Sequence, residues 1–282
     1  MTPPVSRPAS VAGLATLAGF LLLLGGVRPA RAEPLVTFPE DRSFLPKSWL
    51  AEPIDARVEP LAKGLRLTAR GILDTAISKY PVEVRERYLA GVAVVGSMRF
   101  YDIAYGGTYM GNSRRIVLVY RDTFDPRGFE QRFHHEFSSI LLKLHQDRFD
   151  HRRWTAANEP GFRYRAAGIV EEQFDDRSEA TRALGEEQEK TGGSGSSLLA
   201  LDPKLMRAGF LTAYNQVSIE QDLNETAAHL FTNPDLWRLC QTHPRIDQKV
   251  DVLIDFYHSI DERMDRLFFR RLTGGPTSTP EP

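Results

Sequence analysis

The residues best equipped for chemistry are His134, His135 and Glu136, in the run Phe133-His134-His135-Glu136-Phe137-Ser138-Ser139-Ile140-Leu141-Leu142. On a helix, a His-Glu pair completed by a second His four residues after the first puts two imidazoles on one face. They hold zinc, and the Glu between them activates the metal-bound water. His135 and Glu136 begin that arrangement, but Ser139 stands where the second imidazole belongs. A hydroxyl is a far poorer zinc ligand than an imidazole. The stretch carries the pattern of a metal site together with the loss of one ligand.

Neighbouring histidines do not restore it. His134 leaves the helix about 100° away from His135, and His145 lies about 15 Å along the axis at a rise of about 1.5 Å per residue. His134 reads as a surface or capped histidine, and Ser138 with Ser139 as small residues that admit another helix. His145, His151, His243 and His258 show no ligand spacing and receive no role.

The motif has to be held by the elements around it. Prolines 34, 39, 46 and 53 interrupt residues 33–57, which read as an extended lead-in without regular structure. Residues 58–80 follow a helical period through Leu61, Leu65, Leu67, Ile72, Leu73, Ala76 and Ile77, closed by Pro81. A charged helical turn at 81–88 leads into strands at 89–95, 98–103 and 115–120, with glycine turn signals around Thr108-Tyr109-Met110. Asp125-Pro126 then precedes an amphipathic helix over 128–144 that carries the motif.

Residues 151–164 read as a loop, and the Gly/Ser run at 191–197 as a flexible stretch. Helices follow at 218–233, with Ser218 as N-cap, at 234–240 and at 244–272. The fold class is α+β: a small mixed sheet, the motif helix, then a helical C-terminal half.

An apolar run from Val11 to Val27 follows Arg7 and precedes Ala30-Arg31-Ala32, the form of a secretory signal with its cleavage site. Residues 1–32 are read as that signal, 33–273 as one domain and 274–282 as a disordered tail. The expected location is secreted or periplasmic. An uncleaved anchor is the alternative, since the run is at the short limit for spanning a bilayer. No Cys follows the run, so nothing supports a lipoprotein anchor.

A net charge of -1 over 282 residues gives no field to attract nucleic acid or an anionic membrane, and neither is expected as a partner beyond the signal segment. The single cysteine, Cys240, excludes an internal disulfide and reads as a buried core thiol.

Three fragments, in order, resemble a family of secreted bacterial zinc-binding metallopeptidases and, more distantly, the catalytic region of anthrax lethal factor, a gluzincin. The first is His135-Glu136. The second, Trp154 to Tyr164, is similar to a W-x-x-x-N-P-x-G-F-x-Y stretch. The third is Gly209-Phe210-Leu211-Thr212-Ala213-Tyr214 followed by Gln221-Asp222-Leu223-Asn224-Glu225, which looks like G-F-x-T-x-Y and then E-D-F-A-E. The resemblance spans residues 89–233.

It implies a zincin-like fold in which an edge strand lies across a cleft floored by the motif helix. It implies Glu136 as the water-activating residue, Tyr214 as hydrogen-bond donor to an oxyanion, and zinc as cofactor. The first Glu of E-D-F-A-E, the third zinc ligand, falls at Gln221, so two of three ligand positions, Ser139 and Gln221, are altered. An ordinary zinc site is therefore not expected.

The expected function is an exported, catalytically degenerate metallopeptidase-like protein that binds peptide or protein in the former cleft. The alternative is an active metal-dependent hydrolase with an unusual site built from His135, Glu136 and Glu225, the last being one helical turn after Gln221. A purely structural envelope protein, its cleft filled by side chains, is a third reading. Glu225 also has plain alternatives: a cap, a contact to Arg163 or Arg165, or a helix-surface pair with His229.

Overall fold

The computed structural model describes residues 35–123, 125–166 and 199–274. The signal segment, the Gly/Ser run and the tail beyond 274 lie outside them. Six strands form one mixed sheet: β1 (Leu35–Thr37), β2 (Arg57–Pro60), β3 (Gly91–Phe100), β4 (Ile103–Ala104), β5 (Gly107–Met110) and β6 (Arg115–Val119). The ten-residue β3 is its axis. On one side β1 runs parallel to the first half of β3, from Leu35 opposite Gly91, and β2 runs antiparallel to the second half, from Arg57 opposite Arg99. On the other side β6 is parallel to β3, Gly91 opposite Arg115, and β5 lies antiparallel beyond β6 as an edge strand.

Successive strand residues face opposite sides of the sheet, and both sides are covered. Val92, Val94, Ile116 and Leu118 face the main core, and Ala93, Val95, Val117 and Val119 face a smaller cluster with Leu45, Ala56, Met98 and Phe100. That double burial is why β3 and β6 read as continuous apolar runs.

The motif helix, α4, spans Pro126–Leu144. Before it come α1 (Lys47–Leu50), α2 (Arg66–Ser78) and α3 (Val82–Tyr88). Asp125 caps α4 by accepting from the Gly128 amide, and Pro126, which has no N–H to lose, takes the first helical position. Every residue from Phe133 through Leu142 is buried, so α4 is a central helix rather than a surface one. Beyond it are α5 (His151–Ala156), α6 (Pro203–Ala208), α7 (Ile219–Thr232), α8 (Leu236–Thr242), α9 (Pro244–Ile260) and α10 (Arg266–Leu272). The expected order of sheet, motif helix and helical C-terminal half is what the chain adopts.

Several boundaries differ from the sequence reading, each for a local reason. The lead-in supplies β1, α1 and β2, because pairing with β3 satisfies a backbone that has no period of its own. The helix expected from 58 begins only at Arg66: Val58 to Pro60 pair with β3, and a 3-10 turn at Lys63–Leu65 intervenes. Leu67, counted in the helical period of the sequence, is helical but 82% exposed.

The two strands expected at 89–95 and 98–103 are one, running straight through Gly96. A Cβ at Gly96 would lie 2.8 Å from the Pro60 carbonyl oxygen, so this glycine permits close approach of β2 rather than a turn. The turn comes at Tyr101 and Asp102, both at positive φ, before β4. The expected loop at 151–164 contains α5, capped by Asp150. The last helix is broken after Ile260, and α10 restarts with Asp265 accepting from the Phe268 amide.

Candidate functional site

Helical spacing divides α4 into faces, and residues four apart share one. His135 and Ser139 face α7. His134 and Ser138 face elsewhere, towards Tyr80 and Tyr257.

The cap of α7 is the one expected, with the Ser218 side chain accepting from the Gln221 amide. One turn apart on that helix, Gln221 and Glu225 grip a single ring. His135 Nε2 lies 2.9 Å from Gln221 Oε1, and His135 Nδ1 lies 3.1 Å from Glu225 Oε1. A ring with its proton on Nδ1 donates to Glu225. Nε2 then meets the Gln221 side chain either as an acceptor from its NH2 or, in a doubly protonated ring, as a donor to its oxygen.

Beside them Asn224 Nδ2 donates to Ser139 Oγ at 2.6 Å. Tyr214, on a 3-10 turn at Tyr214–Gln216, has its ring centroid 6.0 Å from that of His135. Glu136 lies under the edge strand: a Cβ at Gly107 would sit 2.8 Å from Glu136 Oε1. Gly106 stands in the same way against Arg132, whose guanidinium burial and neighbouring Arg121 hold below the usual arginine range. The structure thus brings His135, Ser139, Gln221, Glu225 and Tyr214 together and puts Glu136 beneath β5.

The plain alternatives for Glu225 give way to its contact with His135. His229, expected on the helix surface, is buried, with its ring Nδ1 3.3 Å from Asn233 Nδ2.

His134 is not a surface histidine either. It is fully buried, stacked at 4.4 Å on Phe231, with Nδ1 3.0 Å from the Tyr80 hydroxyl and Nε2 3.3 Å from Glu130. Burial pushes it down to about 4. The neutral ring then accepts from Tyr80 and donates to Glu130, which also pairs with Lys79 at 2.6 Å. The sequence reading failed here because an aromatic cage distant in sequence, not the helix period, decides this residue's surroundings.

A second cluster was not anticipated. Asp222 Oδ2 accepts from Lys249 Nζ at 2.5 Å, Tyr164 OH at 2.6 Å and Trp154 Nε1 at 2.9 Å, while Oδ1 accepts from Asn215 Nδ2 at 2.8 Å. Asn158 donates to the Tyr164 hydroxyl, and Thr212 donates twice to Asn215 Oδ1. Burial lowers the Lys249 pKa, and the Asp222 carboxylate opposes that shift. One signal was present in the sequence: Lys249 falls on the apolar stripe of its helix beside Ile246, Val250 and Leu253, and a buried ammonium requires a buried acceptor.

Zinc does not fit the donors present. His135 is the one imidazole facing this position, and both its nitrogens already meet α7. Ser139 is engaged by Asn224, and Gln221, which meets His135 Nε2, offers a neutral amide. Among the described residues no three His, Cys, Asp or Glu side chains assemble as a group that could hold a metal ion, the combination of His135, Glu136 and Glu225 included.

No family model matches the chain, and no curated protein matches it. Among solved structures, one described as a "putative zinc-binding metallo-peptidase from Bacteroides caccae" is similar over 86% of this chain and 85% of its own, with 12% identity and a TM-score of 0.46. Likeness at that level is not evidence of a shared activity.

Proposed function

We propose that the chain is an exported metallopeptidase-like protein whose metal centre has been replaced by hydrogen bonds, and that the remaining cleft binds an extended peptide or protein segment. The observation that carries this reading is the closure of the ligand positions on one another: His135 against Gln221 and Glu225, and Ser139 against Asn224. The cleft reading is supported by β5, the sheet edge beside Glu136, because such an edge can take a further strand through backbone hydrogen bonds. Export is supported by the signal-like residues 1–32.

The test uses the chain from residue 33, purified without added metal. Elemental analysis and zinc titration should find no stoichiometric tight site. A library of extended peptides should yield binders whose affinity is unchanged by a chelator. Stoichiometric metal, or peptide hydrolysis abolished by a chelator, would instead establish the metal-dependent hydrolase built on His135, Glu136 and Glu225.

A further inference from the structure

We infer that Asp222 is a positioning residue for the cluster around His135, setting the rotation of α7 and the placement of Tyr214 through one carboxylate. The inference rests on reading that cluster as the functional site. It does not depend on what the cleft binds.

The carboxylate lies in α7 between two residues that touch His135: Gln221 immediately before it, Glu225 three after it. Its own buried side chain bonds donors on three other segments, two of them fully buried and the third, Tyr164, partly so. Trp154 comes from α5, Tyr164 from the segment that follows, and Lys249 from α9. The fourth donor, Asn215, adjoins Tyr214 and is itself held by the backbone N–H and the hydroxyl of Thr212. The Asn215 side chain also donates to the Asp222 backbone carbonyl at 3.3 Å.

A helix pinned at 222 has little freedom to rotate, and 221 and 225 lie only about 100° and 60° around its axis from that point. The turn carrying Tyr214 is tied to the same carboxylate. Four donors on two oxygens suit an ionised carboxylate and leave an amide in its place with too few acceptors. Lys249 adds rigidity, since its ammonium sits 4.0 Å from the Phe210 ring centroid and is enclosed, with Asp222 as its charge partner.

The test separates positioning from bulk stability by reading the ring nitrogens of His135 by 15N NMR alongside the melting temperature. Asp222→Asn alone leaves the Lys249 ammonium buried without its counter-charge and should lower the melting temperature sharply. Asp222→Asn with Lys249→Met removes both charges and should recover most of that loss, while the His135 ring signals stay displaced by several parts per million. Phe100→Leu, on the far face of the sheet, should lower the melting temperature and leave those signals in place.

Tyr164→Phe, which deletes one hydroxyl, keeps the test open if the Asp222 variants do not fold. It should displace the His135 signals by a smaller amount. Unmoved His135 signals in the double variant, or in Tyr164→Phe if the double variant does not fold, would reduce Asp222 to a core ion pair and overturn the inference. Peptide binding is not part of this readout, so failure of the proposed function would leave it standing.

Discussion

Asn224 reaches from α7 to α4 and donates its side-chain amide to the Ser139 hydroxyl at 2.6 Å, with both residues out of solvent. In the pattern the chain resembles, these positions hold alanine and histidine. The two departures answer each other. Set against that pattern, a serine in place of an imidazole would leave space and an unsatisfied hydroxyl, and an asparagine in place of alanine fills the one and bonds the other. With Gln221 meeting His135 as well, the α4–α7 interface at these positions is a closed polar contact.

The His134 cage makes the fold sensitive to acid. Its folded pKa, about 4, lies below the ordinary 6.5, so between those values the unfolded chain binds the proton and the folded one does not. Stability is complete above pH 6.5 and falls as the pH drops towards 4, by on the order of 3 kcal/mol. Glu130 adds in the same direction: burial opposes it, yet the bonds from His134 and Lys79 hold its pKa below the usual value, and that contribution is lost as the carboxylate protonates. Urea unfolding at pH 7.5 and 4.5 measures the difference. A His134→Gln variant should show a flatter profile, and an equally steep one would count against the cage as the cause.

Thr108 carries a removable cost. It is 1% exposed, and its hydroxyl, buried in β5, has no hydrogen-bond partner among the described residues. Thr108→Val keeps the shape and deletes the unsatisfied group, so stability should rise by about 1 kcal/mol. A fall in the denaturation midpoint would show that the hydroxyl is bonded.

The parts of this fold legible from sequence are those set by local chemistry. Asp125-Pro126 marks the start of α4, Ser218 marks that of α7, and Arg115 to Val119 is apolar enough to announce a buried strand. What escaped is set at long range. Leu35 to Thr37 is a strand only because Gly91 to Ala93 lies beside it, and Leu67 is helical without reaching the core. At the site, His135, Gln221 and Glu225 could be brought together by matching fragments. The role of Asn224 was invisible, because it acquires meaning only opposite Ser139.

Cys240 should behave as a core thiol. Burial, with nearby Asp247, pushes its pKa up to about 12, so the reactive thiolate is scarce at neutral pH. A thiol reagent should label it only after denaturant unfolds the chain. Rapid labelling of the native protein would show that the end of α8 opens.

The strongest test of the proposed replacement of a metal centre is to build one. Ser139→His returns an imidazole one turn from His135 and on the same face, and Gln221→Glu supplies a carboxylate on α7 where the amide now meets the His135 ring. The Asn224 amide occupies the approach to position 139, so Asn224→Ala belongs with them. The triple variant should bind zinc in a one-to-one complex by calorimetry. Each single change, with at most two strong ligands, should not, and the departure from additivity is itself the signature of a shared coordination sphere. Zinc at a thousandfold excess over its Kd should then raise stability by about 4 kcal/mol, reversed by a chelator. If the triple variant folds and binds zinc no better than the parent, Gln221 does not stand at the third ligand position, and the correspondence drawn from the three fragments fails with it.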